Sequence, residues 1–322
     1  MMSSRNLPDS HLQHFGLCPL SPGYQSELSV EIPDLVNSLN FSGAPRDALY
    51  RKQPCFFPAM SRPKTGAESF LYGLRYNAGV GQHINPDKIK LKGYTMIIIQ
   101  IQNYQTGEVI FEHEEPHNTI RLTAEAAVQS GVSLREANLA HADLIGANLR
   151  NANLSHANLT GAFLRAASLI DAQLTMANLS EAQLHGADLR GATVIEANLS
   201  YARMGNTDLR GGKLMKSNVS HADMSNADLR GADFSFANLE RANMSQARLC
   251  GGNLHGAILT NIDMYKTDLS GVDLGEADLS DAFLILADMS GVNLRGALLN
   301  TARMQDAILD GATMPEASPA ET

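Results

Sequence analysis

Residues 111–117 read FEHEEPH and set Glu112, His113, Glu114, Glu115 and His117 side by side. Imidazole and carboxylate are donors for zinc and for harder divalent cations, so metal binding is the first chemistry to weigh. In an extended strand, however, neighbouring side chains leave on opposite faces. The run then splits into two rows, and a solvated strand end is the better expectation. The three cysteines, Cys18, Cys55 and Cys250, form no CxxC or CxxH pair. That argues against a zinc site or a disulfide framework and fits a reducing compartment. Cys250 falls on an outward position, as a lone surface thiol. No nucleophile–base–acid set, phosphate-cradling glycine loop or helix-borne metal motif is present. The expectation is a protein without catalytic residues, metal or cofactor. Ionic chemistry remains. Asp188 and Arg190, Asp208 and Arg210, and Asp228 and Arg230 recur at every twentieth position. Whatever element carries them must itself repeat at that interval.

The underlying repeat is shorter. From Leu134 to Met314 every fifth residue is Leu, Met, Val or Phe, through 37 pentapeptides without insertion or deletion. Two residues before each of these centres, 28 of the 37 positions are Ala, which sets a large and a small residue in alternation. A period of five belongs to neither a helix nor a flat strand. A unit this short cannot bury its apolar face alone, so neighbours must stack. The large residue then fills the axis and the small one lets the wall come close, as a close-packed interior requires. Ile262 is the one clear oversize at a small position, and local distortion is expected there. Phe234 is the sole aromatic centre, so its layer is expected to be the most filled.

Two independent columns fix the number of units per turn. Glycine recurs at 191, 211, 231, 251, 271, 291 and 311, and asparagine at 138, 158, 178, 198, 218 and 238. Both columns step by four pentapeptides. Glycine suits a corner of positive φ, and stacked amides can form a ladder. Five repeat histidines, His141, His156, His185, His221 and His255, then point outward at scattered heights. His141 and His221 share a side but lie four coils apart, too far to share an ion.

Units such as ANLSH (152–156), ADLRG (187–191) and ANLER (237–241) resemble the pentapeptide-repeat family, whose unit is A(D/N)LXX. The resemblance covers roughly residues 132–315. It implies a mainly β fold, a right-handed quadrilateral parallel β-helix of about nine coils. Some members of that family bind type II DNA topoisomerases by imitating duplex DNA. This chain departs from them in its single Phe centre and in an ending, PEASPAET, unlike their C-terminal dimer module.

The flanks differ from the repeats. Residues 96–131 read as a cap, with two strands about QTGE and a short helix begun by Asn118 or Thr119 and ended by Gly131. Residues 1–95 hold nine of the twelve prolines and 10 basic against 7 acidic residues. They are expected to be a poorly ordered leader, with an export or docking segment as the alternative and Met96 as a second possible start. A disordered tail is expected over 316–322.

Net charge is −9, which leaves no basic footprint for nucleic acid. No apolar run approaches the length of a membrane span, and no signal region opens the chain, so a cytoplasmic protein is expected, with export by a dedicated secretion system as the alternative. Function falls to the surface. Tyr265, Phe283, Ile285 and Leu286 point outward on one side near the C-terminus, and Ile258 and Leu298 on the next. Contiguous exposed apolar residues mark an interface, here for a partner protein or a second copy. The Asp–Arg column is a self-neutralised wall or a charged docking face. The expected function is a non-catalytic interaction scaffold; the alternatives are a DNA-imitating binder of a type II topoisomerase and a secreted effector.

Overall fold

The computed structural model describes residues 96–315. The expected leader (1–95) and tail (316–322) lie outside the described residues. Strand β1 (Met96–Gln102) pairs antiparallel with β2 (Val109–Pro116), with Ile99 opposite His113 and Ile101 opposite Phe111. Between them Asn103 Oδ1 accepts the backbone N–H groups of Gln105 and Thr106, and Gly107 takes φ 74°. Helix α1 follows (Ile120–Gln129). Thr119 caps it, its Oγ1 accepting from Leu122 N–H at 3.2 Å. Asn118 does other work. Its Nδ2 donates to the carbonyls of His113 and Ile97, and its Oδ1 accepts from Thr123 Oγ1, which ties the helix to the hairpin. Gly131 ends the helix at φ 70°, where a C-terminal glycine belongs.

The repeats begin directly after. From Asn138 to Asn293 every fifth residue forms a single-residue parallel bridge with its counterpart four pentapeptides along the chain. The bridges fall at the Asn/Asp position of the repeat, whatever residue occupies it, and form four columns, starting at Asn138, Asp143, Asn148 and Asn153. Each pentapeptide spends its backbone groups in the same way. Leu199 N–H donates to Asn218 C=O at 2.7 Å, Asn218 N–H to Ala197 C=O at 2.9 Å, and Ala202 N–H closes a turn onto Leu199 C=O at 3.0 Å. The centres from Leu134 to Leu294 are at most 1% exposed and form one continuous cluster with the alanines. Burying such a Leu contributes about 1.5–3 kcal/mol, and no single pentapeptide could gain it alone. The polar residues at small positions are satisfied: Thr207 Oγ1 donates to Met204 C=O, Ser217 Oγ to Leu214 C=O and Thr267 Oγ1 to Met244 C=O.

One expectation needs correction. Ile262 is fully buried, yet the bridges of Asp263 to Asn243 and to Phe283 pass it without a break in register. Of the centres of these three coils, Met244 and Met264 have unbranched chains that adapt to an oversize neighbour, and the third is Leu284. The glycine column takes positive φ as expected, at 66–71°, and the other corners share it. Every corner from Glu136 to Gly311 takes it, and only 12 of these 36 corners hold glycine. A side chain in the left-handed region costs energy. What offsets the cost is that the same residue donates to the next coil, as Tyr201 N–H does to Ser220 C=O at 3.0 Å.

The hairpin and helix close the first coil. Asn138 N–H donates to Gln102 C=O at 2.7 Å, and Tyr104 N–H to Glu136 C=O at 3.0 Å. Asn148 N–H, with no preceding coil to bridge, donates to Glu125 Oε1 from α1 at 2.8 Å. Among the described residues no helix is long and apolar enough to cross a membrane.

Candidate functional site

The FEHEEPH run lies on β2 and alternates as its strand geometry demands. Glu112 and Glu114 are exposed on one face, and Glu112 accepts from Gln100 Nε2 across the hairpin at 2.7 Å. His113 turns the other way, against Phe111 and with Nε2 3.4 Å from Glu115 Oε1. Among the described residues no group of three or more His, Cys, Asp or Glu is placed to hold a metal ion.

The Asp–Arg column is a ladder of bidentate pairs. Arg190 grips Asp188 with Nε at 2.8 Å and Nη2 at 2.6 Å, Arg210 grips Asp208 at 2.9 and 2.7 Å, and Arg230 grips Asp228 at 2.7 and 2.6 Å. The partner is the residue two before, on the same side of the same coil. Coil-to-coil contacts are longer, 3.6 Å from Arg190 Nε to Asp208 and 3.8 Å from Arg210 Nε to Asp228. The hydrogen bonds from Arg190 and Arg230 hold the carboxyls of Asp188 and Asp228 below their ordinary range, and the two carboxylates raise the guanidinium values in turn. A carboxyl depressed in the folded state adds stability above its unfolded pKa of about 3.9, and that stability is lost as pH falls through the folded value. Asp228→Asn is therefore expected to match the parent near pH 2 and to melt slightly lower at pH 7, by the small amount that half-exposed pairs contribute, which flattens the acid limb measured from pH 6 to pH 2. An unaltered acid limb would show the ladder to be irrelevant to stability.

The apolar residues near the C-terminus divide into two groups. Phe283 stands in the column that starts at Asp143, with Tyr265, Ile285 and Leu286 at the adjoining turn; all but half-buried Ile285 are exposed. Cations cover part of this group: Arg303 lies over the Phe283 ring at 4.7 Å and Lys266 over Tyr265 at 5.1 Å. Ile258 and Leu298 are exposed on the Asn138 column, where Asp278 bridges to both and stands between them.

A groove that the sequence did not announce runs along the edge between the Asn138 and Asp143 columns. Its volume is about 750 Å³, and His141 and His221 stand at its two ends. The signal was in the sequence, since His141, Glu181, Tyr201 and His221 share one corner column, but only side-chain lean joins these residues. Tyr201 lies flat on His221, with ring centroids 4.6 Å apart and planes 3° apart. The His141 ring covers Gly161, where any Cβ would sit 2.5 Å from its Nδ1.

A sequence model described as pentapeptide repeats matches the chain in ten overlapping segments between residues 133 and 318. The chain belongs to the pentapeptide-repeat family. Among solved pentapeptide-repeat structures, HetL of the cyanobacterium Nostoc sp. strain PCC 7120, involved in heterocyst differentiation regulation, is 35% identical over 56% of this chain and 86% of its own, with a TM-score of 0.39. Rfr23 of the cyanobacterium Cyanothece 51142 is 26% identical over 39% of this chain and 63% of its own, with a TM-score of 0.23. QnrB1, a plasmid-mediated fluoroquinolone resistance protein, is 18% identical over 51% of this chain and 86% of its own, with a TM-score of 0.34. No curated protein matches the sequence.

Proposed function

We propose that this pentapeptide-repeat protein is a non-catalytic scaffold that presents its side walls to a protein partner and pairs with a second copy through its last coils. The observation that carries the reading is the columnar order of the outward side chains. Each pentapeptide from residue 138 to 293 is held by a bridge to the adjoining coil, so a surface motif keeps its spacing before any partner arrives. Pre-organisation lowers the entropy cost of association. The same spacing supports a right-handed, four-sided rod of about nine coils, about 45 Å long at the usual strand separation. Residues 96–131 are its cap and 132–315 its walls.

Self-association is supported by the far end. The inward residues Leu299, Met304 and Leu309 are only half buried and Met314 is 46% exposed, whereas the centres of earlier coils are closed off. Beside them stand Phe283 and Leu286. A second copy related by a two-fold axis would cover both the coil end and this cluster. The double substitution Phe283→Ser with Leu286→Ser, at two exposed positions, is expected to convert a dimer to a monomer in sedimentation velocity without lowering the melting temperature. An unaltered protein that sediments as a monomer at high concentration would refute the pairing. DNA imitation needs a continuous field of one sign. Asp188, Asp208 and Asp228 are each neutralised by an arginine, so this wall lends that alternative no support.

A further inference from the structure

The groove between His141 and His221 spans four coil steps. At the usual strand separation of about 4.8 Å that is about 19 Å, the length of roughly six residues of extended chain. Its shape therefore suits a linear occupant. Its lining sets the occupant's chemistry. Glu181 is exposed, and although its backbone N–H donates to Ser200 C=O, its carboxylate has no ion pair or hydrogen bond among the described residues. Asp223 accepts from Asn243 Nδ2 at 3.2 Å and from Ser225 N–H, but it too lacks a cation within ion-pair distance among the described residues. Against these two carboxylates stands one guanidinium, Arg203, which has no carboxylate partner among the described residues. One coil beyond Glu181 stands Tyr201, 57% exposed although stacked on His221. Phe163 adds a second exposed ring, in the column that carries Arg203.

An unpaired carboxylate one coil from an accessible phenol ring is a receptor for a cation, which the carboxylate attracts by charge and the ring by its quadrupole. Arg203 offers five N–H donors and no acceptor, which suits the carbonyls of a peptide backbone. We propose that this groove binds an extended basic peptide segment of a partner protein, with one arginine or lysine side chain against Tyr201 and its charge at Glu181. Arg203 then holds main-chain carbonyls, and Phe163 supplies an apolar wall. The proposal rests on the scaffold reading and gives it a partner chemistry.

The test is fluorescence anisotropy of the full chain with labelled heptapeptides of sequence Gly-Ser-Gly-X-Gly-Ser-Gly, where X is arginine, lysine, norleucine or glutamate. The arginine and lysine peptides are expected to bind at least about tenfold more tightly than the other two. Glu181→Gln and Tyr201→Ala are each expected to weaken the arginine peptide by about tenfold, the scale of losing one charge-assisted contact, with the melting temperature unchanged. Equal binding of the arginine and norleucine peptides, or unchanged binding by both variants, overturns the proposal. The Phe283→Ser with Leu286→Ser variant, altered elsewhere, is expected to bind the arginine peptide as the parent does. If peptide binding fails while self-association holds, the groove assignment falls and the scaffold reading stands.

Discussion

Replacing Phe234 with alanine is expected to destabilise the repeats by about 3–5 kcal/mol, while Phe234→Leu costs under about 1.5 kcal/mol. Phe234 is fully buried, and it is the only aromatic centre among 37. Met224, Leu229 and Leu239 are the centres beside it along the chain, and Leu214 and Leu254 stand one coil to either side in its own column. A cavity at this layer has little chance to close. The wall is pinned by the bridges of Asp233 to Lys213 and to Asn253, and Phe234 N–H itself donates to Asn253 C=O at 2.7 Å. Cost grows with the volume that stays empty, so the upper part of the range applies. Leucine is the centre of most other layers and leaves a smaller void. In a stack where each coil touches only its neighbours, a weak layer also loosens the coupling between the coils before and after it. The alanine variant should therefore melt earlier and over a broader range by circular dichroism. Its amides after residue 234 should exchange faster than those before residue 214. An alanine variant that melts like the parent, or a leucine variant as damaged as the alanine one, would show that this layer is not packed as described.

Much of this architecture was legible because a five-residue rule leaves little freedom. The inward pair of each unit, such as Ala227 and Leu229, could be read from size alone, and both are buried. The four-pentapeptide step of the glycine and asparagine columns foretold the partners of every parallel bridge, though not the antiparallel bridge of Asn103 to Ala137. Finer features escaped for physical reasons. Positive φ at Lys216 or Phe236 carries no composition signal, because the turn and the inter-coil hydrogen bond impose it on whatever residue stands there. The asparagine ladder was expected along six residues, but direct amide-to-amide bonds join only Asn178, Asn198 and Asn218, while Asn178 Nδ2 reaches Thr160 Oγ1 instead. A short hydroxyl in the coil below competes for the same donor. The groove escaped because it depends on rings leaning by one coil, Tyr201 onto His221 and His141 onto Gly161. A one-dimensional register records which side a residue faces and nothing of that tilt.

A chain that begins at Val132 is expected to precipitate, whereas Met96–Thr322 is expected to stay soluble and to melt cooperatively. The difference lies in what the hairpin and α1 cover. Ile101, Ala124 and Ala127 are fully buried in one cluster with Leu134, Leu139, Leu144 and Leu149. Removing them opens the first layer of leucines to water. It also strips the first coil of its backbone partners: Gln102 C=O for Asn138 N–H, Tyr104 N–H for Glu136 C=O and Glu125 Oε1 for Asn148 N–H. Unpaired edge groups around an apolar centre are a template for another chain, so open ends should meet ends. The apolar cover and the hydrogen bonds differ in weight, and substitutions in the intact chain can separate them. Glu125→Ala frees only Asn148 N–H, which is exposed and can turn to water, so a loss near ~1 kcal/mol or less is expected. Ile101→Asp forces an unpaired carboxylate into the closed layer and should cost several kcal/mol, enough to reproduce the truncation. Solubility and sedimentation of the four proteins decide the matter. A soluble, monomeric chain from Val132 would mean that the first coil closes without the hairpin, and the buried position of Ile101 would then be incidental to stability.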